Sequence, residues 1–118
     1  MGSKVVNMTP EYRKHKSTKA YRLTRQALLD QLKLNGTTGQ YYLDFVETYM
    51  SFWIDDKLLI DDIAERGVVV EYYDSRGNHG IKKNESVGQK TQINAQMIRL
   101  LDAMGIKPVG QGEMEEEL

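Results

Sequence analysis

The chain has 118 residues, 40% of them hydrophobic, with two prolines, no cysteine and a formal net charge of -1. This supports one modest core and is too short for two comfortable domains. The lack of cysteine excludes disulfide frameworks, thiolate metal sites and cysteine nucleophiles and fits an intracellular setting, while no apolar run approaches the roughly 20 residues of a membrane span and the N-terminus lacks the apolar core of a secretory signal.

Charge is segregated along the sequence. From Lys4 to Arg25, seven cations (Lys4, Arg13, Lys14, Lys16, Lys19, Arg22 and Arg25) stand against one acid, Glu11. From Asp44 to Glu65 the balance reverses, with Asp44, Glu47, Asp55, Asp56, Asp61, Asp62 and Glu65 opposed only by Lys57. Between Arg76 and Lys107 cations prevail again, before a closing acidic run of Glu113, Glu115, Glu116 and Glu117.

In chain order, residues 1 to about 8 lack periodicity and read as a disordered arm. Thr9 followed by Pro10 and Glu11 has the form of a helix start, so a short basic helix can follow. From Thr18, Ala20, Leu23, Ala27, Leu28, Leu32 and Leu34 recur at three- and four-residue steps up to Asn35-Gly36, which predicts a helix over about 18–34. A longer helix starts after Thr37-Thr38 and runs to Arg66, with Gly67 as its stop. Tyr42, Phe45, Val46, Tyr49, Phe52, Trp53, Leu59, Ile60 and Ile63 form its apolar stripe. Such a helix is about 40 Å long, so part of that stripe is expected to meet another chain. The valine- and tyrosine-rich run after it, interrupted by Asp74-Ser75-Arg76-Gly77-Asn78, predicts a hairpin pairing about 68–73 with 79–83. Asn84 then caps a last helix whose apolar side is Val87, Thr91, Ile93, Met97, Leu100, Leu101 and Met104, ended by Gly105 and Pro108.

Catalysis needs a nucleophile with a base, carboxylates in differing environments, or a metal cluster, and the sequence supplies none of these in a usable pattern. His15 and His79 lack ligand-type neighbours. Asp55-Asp56 and Asp61-Asp62 fall within one helix, where adjacent side chains diverge by about 100°, and read as a solvated or subunit-facing surface. No phosphate-binding loop is present. The cations Arg13, Lys14, Lys16, Lys19, Arg22 and Arg25, interleaved with Tyr12 and Tyr21, are the candidate DNA contacts, because phosphate neutralisation needs clustered positive charge. A solubilising tail is the bland alternative. Lys82 and Lys83 are secondary candidates on the hairpin, with edge protection as their alternative.

The order of these features resembles the small terminase subunits of tailed bacteriophages over roughly residues 20–108. In the large branch of that family an Asp-bearing helix precedes a Glu-x-Gly stop, a variable hairpin, a Lys-Asn helix start and a Leu-Gly-hydrophobic-x-Pro ending. Here these are Asp44, Glu65-Arg66-Gly67, Lys83-Asn84 and Met104-Gly105-Ile106-Lys107-Pro108. Glu85 stands where proline is usual, and "VGQGEMEEEL" replaces the usual Ser-x-Arg ending.

The resemblance implies a mainly α subunit of long antiparallel helices with a short β-hairpin, assembling as a homo-oligomeric ring. Its organisation would be a basic, partly disordered arm (1–17), a helical oligomerisation core (18–108) with the hairpin at about 68–83, and an acidic tail (109–118). Implied partners are double-stranded viral DNA and the large terminase subunit, in the host bacterial cytoplasm, with no membrane, cofactor, metal or catalytic residue. Glu113, Glu115, Glu116 and Glu117 are the candidate large-subunit contacts. The alternatives are an architectural homo-oligomer, whose basic arm docks on a neighbour's acidic middle, and a small DNA-binding transcriptional regulator.

Overall fold

The computed structural model describes residues 9–107. The N-terminal arm before Thr9, Pro108 and the acidic tail with Glu113, Glu115, Glu116 and Glu117 lie outside the described residues. The described chain is mainly helical, in the order α1 (Pro10–Lys16), α2 (Lys19–Asn35), α3 (Gln40–Arg66), β1 (Val69–Tyr73), β2 (His79–Lys83) and α4 (Glu85–Ala103).

Local capping fixes most boundaries. The Thr9 hydroxyl oxygen accepts from the Tyr12 amide at 3.2 Å, with Pro10 opening α1. Thr18 accepts from the Tyr21 amide at 3.1 Å, and Asn84 from the Ser86 amide at 3.0 Å. Each such cap contributes about 1 kcal/mol by satisfying an amide that the helix leaves without a partner. At the end of α3, Gly67 takes φ 86° and ψ 177°. The positive φ matches the expected stop, but the extended ψ lies in a region essentially reserved for glycine, outside the left-handed helical cap.

The long helix α3 is the hub, with α1, α2 and α4 all packed on it. Both α2 and α4 run antiparallel to it. Tyr21 meets Trp53 edge-on with ring centroids 5.8 Å apart, while Arg25, a turn later in α2, reaches back to Glu47. Likewise Ser86 bonds Asp62 and Asn94 bonds Asp56. At the far end the Asn35 amide donates to the Gly105 carbonyl at 3.3 Å, tying α2 to the end of α4. The core between them is Tyr21, Leu28, Leu32, Val46, Met50, Ile54 and Met104; full burial of each such aliphatic side chain contributes roughly 1.5–3 kcal/mol.

One expectation about packing is corrected. In α2 the buried positions are Tyr21, Leu28 and Leu32, whereas Leu23 is 59% and Leu34 82% exposed. Steps of seven and four residues keep the first three on one helical face, and a two-residue step places Leu23 and Leu34 nearly opposite it. Along the apolar stripe of α3, Val46 is fully buried and Ile60 is exposed, while Tyr42, Phe45, Tyr49, Phe52, Trp53, Leu59 and Ile63 are half-buried against their own chain, so partly uncovered apolar surface remains on this helix.

The hairpin pairs Val69 with Lys83, Glu71 with Ile81 and Tyr73 with His79. Its turn is closed by Asp74, whose carboxylate accepts from the amides of Arg76 and Asn78, both at 2.8 Å. Tyr72 lies across Gly80, so closely that a Cβ there would meet the ring at 2.5 Å. Among the described residues no helix packs along this ribbon, and Val69, Tyr72, Tyr73 and Ile81 are all exposed.

Candidate nucleic-acid interface

The cations predicted to contact DNA fall on α1, on the first half of α2 and on β2. The break between α1 and α2 is built by side chains. Ser17 donates its hydroxyl to the Arg13 carbonyl at 2.8 Å and Thr18 to the His15 carbonyl at 2.8 Å, ending α1, while Thr18 caps α2. Arg22 reaches back to the Ser17 carbonyl at 3.2 Å. As a result Lys16, Arg22 and Arg25 line one cleft of about 470 Å³ with Tyr21, Gln26 and Glu47.

These cations differ in availability. The ammonium groups of Lys14, Lys16 and Lys19 have no hydrogen bond or ion pair among the described residues. Arg25 instead donates from Nε to Glu47 at 2.9 Å and from a second nitrogen to the same oxygen, and that hydrogen bond raises its already high pKa further. Lys82 pairs with Glu85 at 3.3 Å and lies over the Tyr72 ring at 5.9 Å. Lys83 has no side-chain partner among the described residues. Because successive strand residues point to opposite faces, Lys82 and Lys83 cannot both meet one surface. Tyr21, interleaved with these cations in the sequence, is a core residue only 8% exposed, and Tyr12 packs against the same core.

Two adjacent acids on α3 determine where the basic elements sit. Asp61 lies 2.8 Å from His15 Nε2 and holds α1. Asp62 holds the hairpin base: its Oδ2 accepts from Ser86 at 2.7 Å and from the Asn84 amide at 3.1 Å, and both carboxylate oxygens accept from Arg66, at 2.7 and 2.9 Å. The hydrogen bonds from Arg66, Ser86 and Asn84 together hold the Asp62 carboxyl well below the usual carboxylate range. Asn84 is fully buried and also bonds the Gly67 carbonyl at 2.8 Å and accepts from Arg66 at 3.0 Å. The basic helix and the lysine end of the hairpin are thus anchored at the same end of α3.

The acidic pairs are therefore not simply solvated. Asp56 is 8% exposed. It accepts from Lys90 at 2.8 Å and from Asn94 at 2.9 Å, clamping α3 to α4. Burial pushes its carboxyl up, but the hydrogen bonds from Lys90 and Asn94 and the charges of Lys90 and Lys57 outweigh it, and the net shift is downward. Asp55, its neighbour, has no partner among the described residues, and burial pushes its carboxyl up. Lys90, Asn94 and Ser86 carried no local signal of these roles, since their partners lie on another helix. Among the described residues no group of three or more potential ligands stands close enough to hold a metal ion, and no helix is long and apolar enough to cross a membrane.

The family model described as phage terminase, small subunit, matches residues 22–118. The match begins inside α2 and takes in α3, the hairpin and α4, while α1 and Lys19 precede it. No curated protein and no solved structure matches the chain. The α3 stop at Gly67, the hairpin and the Asn84-capped helix all fall within a match over most of the length, and the chain belongs to the phage terminase small subunit family.

Proposed function

We propose that this chain is the non-catalytic DNA-recognition and regulatory subunit of a phage genome-packaging motor, acting in the host bacterial cytoplasm. It assembles as a homo-oligomeric ring, binds double-stranded viral DNA and delivers it to the large terminase subunit. Family membership supports this role. The observation that carries the DNA assignment is the set of ammonium groups on Lys14, Lys16 and Lys19 that have no partner among the described residues, next to Arg22, on two helices ordered by the Ser17-Thr18 break. Arg13 lies on the same short helix, Arg25 acts in exchange with Glu47, and the hairpin adds one of Lys82 and Lys83. The acidic residues Glu113, Glu115, Glu116 and Glu117 are assigned to the large subunit.

The test is a salt titration of duplex binding. Replacing Lys14, Lys16, Lys19 and Arg22 together by alanine should lower the log–log salt slope by about 3 to 4, since each phosphate contact contributes about 0.9. An unchanged slope removes the assignment. In the architectural alternative the basic arm docks on a neighbour's acidic middle, yet α1 already lies on α3 of its own chain through His15 and Asp61. A transcriptional regulator would be a dimer, which native mass spectrometry distinguishes from a ring.

A further inference from the structure

Asp55 stands in a groove of about 220 Å³ between α3 and α4, lined also by Leu58, Leu59, Gln89 and Ile93. It is a partly desolvated carboxylate beside aliphatic side chains, without a cationic partner among the described residues. Desolvation of that kind is costly unless a charge of opposite sign arrives. Lys90, the nearby cation of α4, is already committed to Asp56.

The hairpin carries the complement. Its register places Val69, Glu71 and Tyr73 on one face with Lys83, Ile81 and His79. Val69 is 54%, Ile81 67% and Tyr73 69% exposed. His79 Nε2 lies 3.2 Å from Glu71, so the acid on this face already has a neighbour, whereas Lys83 has none among the described residues. A two-stranded ribbon is at best marginally stable in water and needs cover for such a face. It does not fold back on its own groove, because the Asp62–Asn84–Ser86 joint fixes its base beyond the end of α3.

We propose that the hairpin of one copy lays its Val69–Ile81–Tyr73 face into the Asp55 groove of a neighbouring copy, with the Lys83 ammonium meeting the Asp55 carboxylate. The two surfaces differ, so the contact is head-to-tail, the type that closes into rings when the rotation permits. This deepens the proposed function and rests on its ring assembly. It also leaves Lys82, on the opposite ribbon face and paired with Glu85, as the hairpin cation that DNA would reach in exchange with that acid.

The test uses the full chain. Asp55→Lys and Lys83→Glu each reverse a charge that has no partner among the described residues of its own subunit, so helix content by circular dichroism should stay unchanged. Each should raise the concentration needed for assembly roughly tenfold or more by placing like charges together, and combining them should restore assembly, read by native mass spectrometry. The cysteine-free sequence permits a second measurement. Leu58→Cys with Ile81→Cys, treated with a short thiol cross-linker, should give a denaturing-gel ladder beyond the dimer, and neither single variant should.

Normal assembly of both single reversals, or the absence of a ladder, overturns the docking and leaves the ring standing. A product that stops at the dimer overturns the head-to-tail arrangement. A wild-type chain that stays monomeric at every concentration overturns the ring reading itself.

Discussion

Across the mouth of the hairpin the Asn84 amide donates to Asp62 at 3.1 Å, while the oxygen of the same side chain caps α4. One buried residue therefore closes α3, the ribbon and the last helix together. Asn84→Ala removes the cap and leaves Asp62, Arg66 and the Gly67 carbonyl short of a partner. The expected loss is about 2 kcal/mol, or roughly 10 °C in Tm, measured by thermal melting.

The clamp between Asp56 and Lys90 should show an asymmetry between single and double substitution. Lys90→Met leaves a nearly buried carboxylate without its cation and is expected to cost about 2–3 kcal/mol. Adding Asp56→Leu should recover most of that loss, because an apolar pair carries no desolvation penalty. Chemical denaturation of the two variants decides the matter.

Acid should weaken the fold through Asp62 and Asp56, whose carboxyls both lie below their ordinary value. In the unfolded chain each binds a proton near pH 4, at about 3.9, while the folded chain resists protonation. Their contribution is complete above that value and disappears as pH falls through the depressed folded-state values. Thermal melts from pH 5 downward should show Tm falling below about pH 4, and Asp62→Asn should flatten the fall.

Helix α1 has seven residues, too few to persist without tertiary contacts. Its tether to α3 includes the His15–Asp61 contact, so Asp61→Ala should reduce amide protection over residues 10–16 in hydrogen exchange and leave α4 unchanged.

Gly80→Val tests the ribbon. The added side chain overlaps the Tyr72 ring, displaces it and separates it from Lys82. The Tyr72 aromatic resonances should shift, while the helical signal by circular dichroism should not.

What could be read from the sequence was local. Thr9, Thr18 and Asn84 act on amides within three residues, and Gly67 answers to its own backbone, so helix ends and the hairpin were visible. The inward face of α2 was not, because leucines at mixed spacing allow two stripes and packing in the shared core with α3 and Met104 selects the one containing Tyr21. Asp56 and Asp62 looked like surface charge because Lys90, Asn94, Asn84 and Ser86 approach them only after α4 folds back. The basic character of residues 13–25 was plain, but which cation is neutralised was not: Arg25 and Glu47 are a full helix apart in sequence and adjacent in space.

Asp61 and Asp62 occupy one turn of α3, yet the first grips the N-terminal helix and the second the root of the ribbon. Neither appendage has an independent pivot there. A distortion of that single turn would therefore disturb both attachments at once.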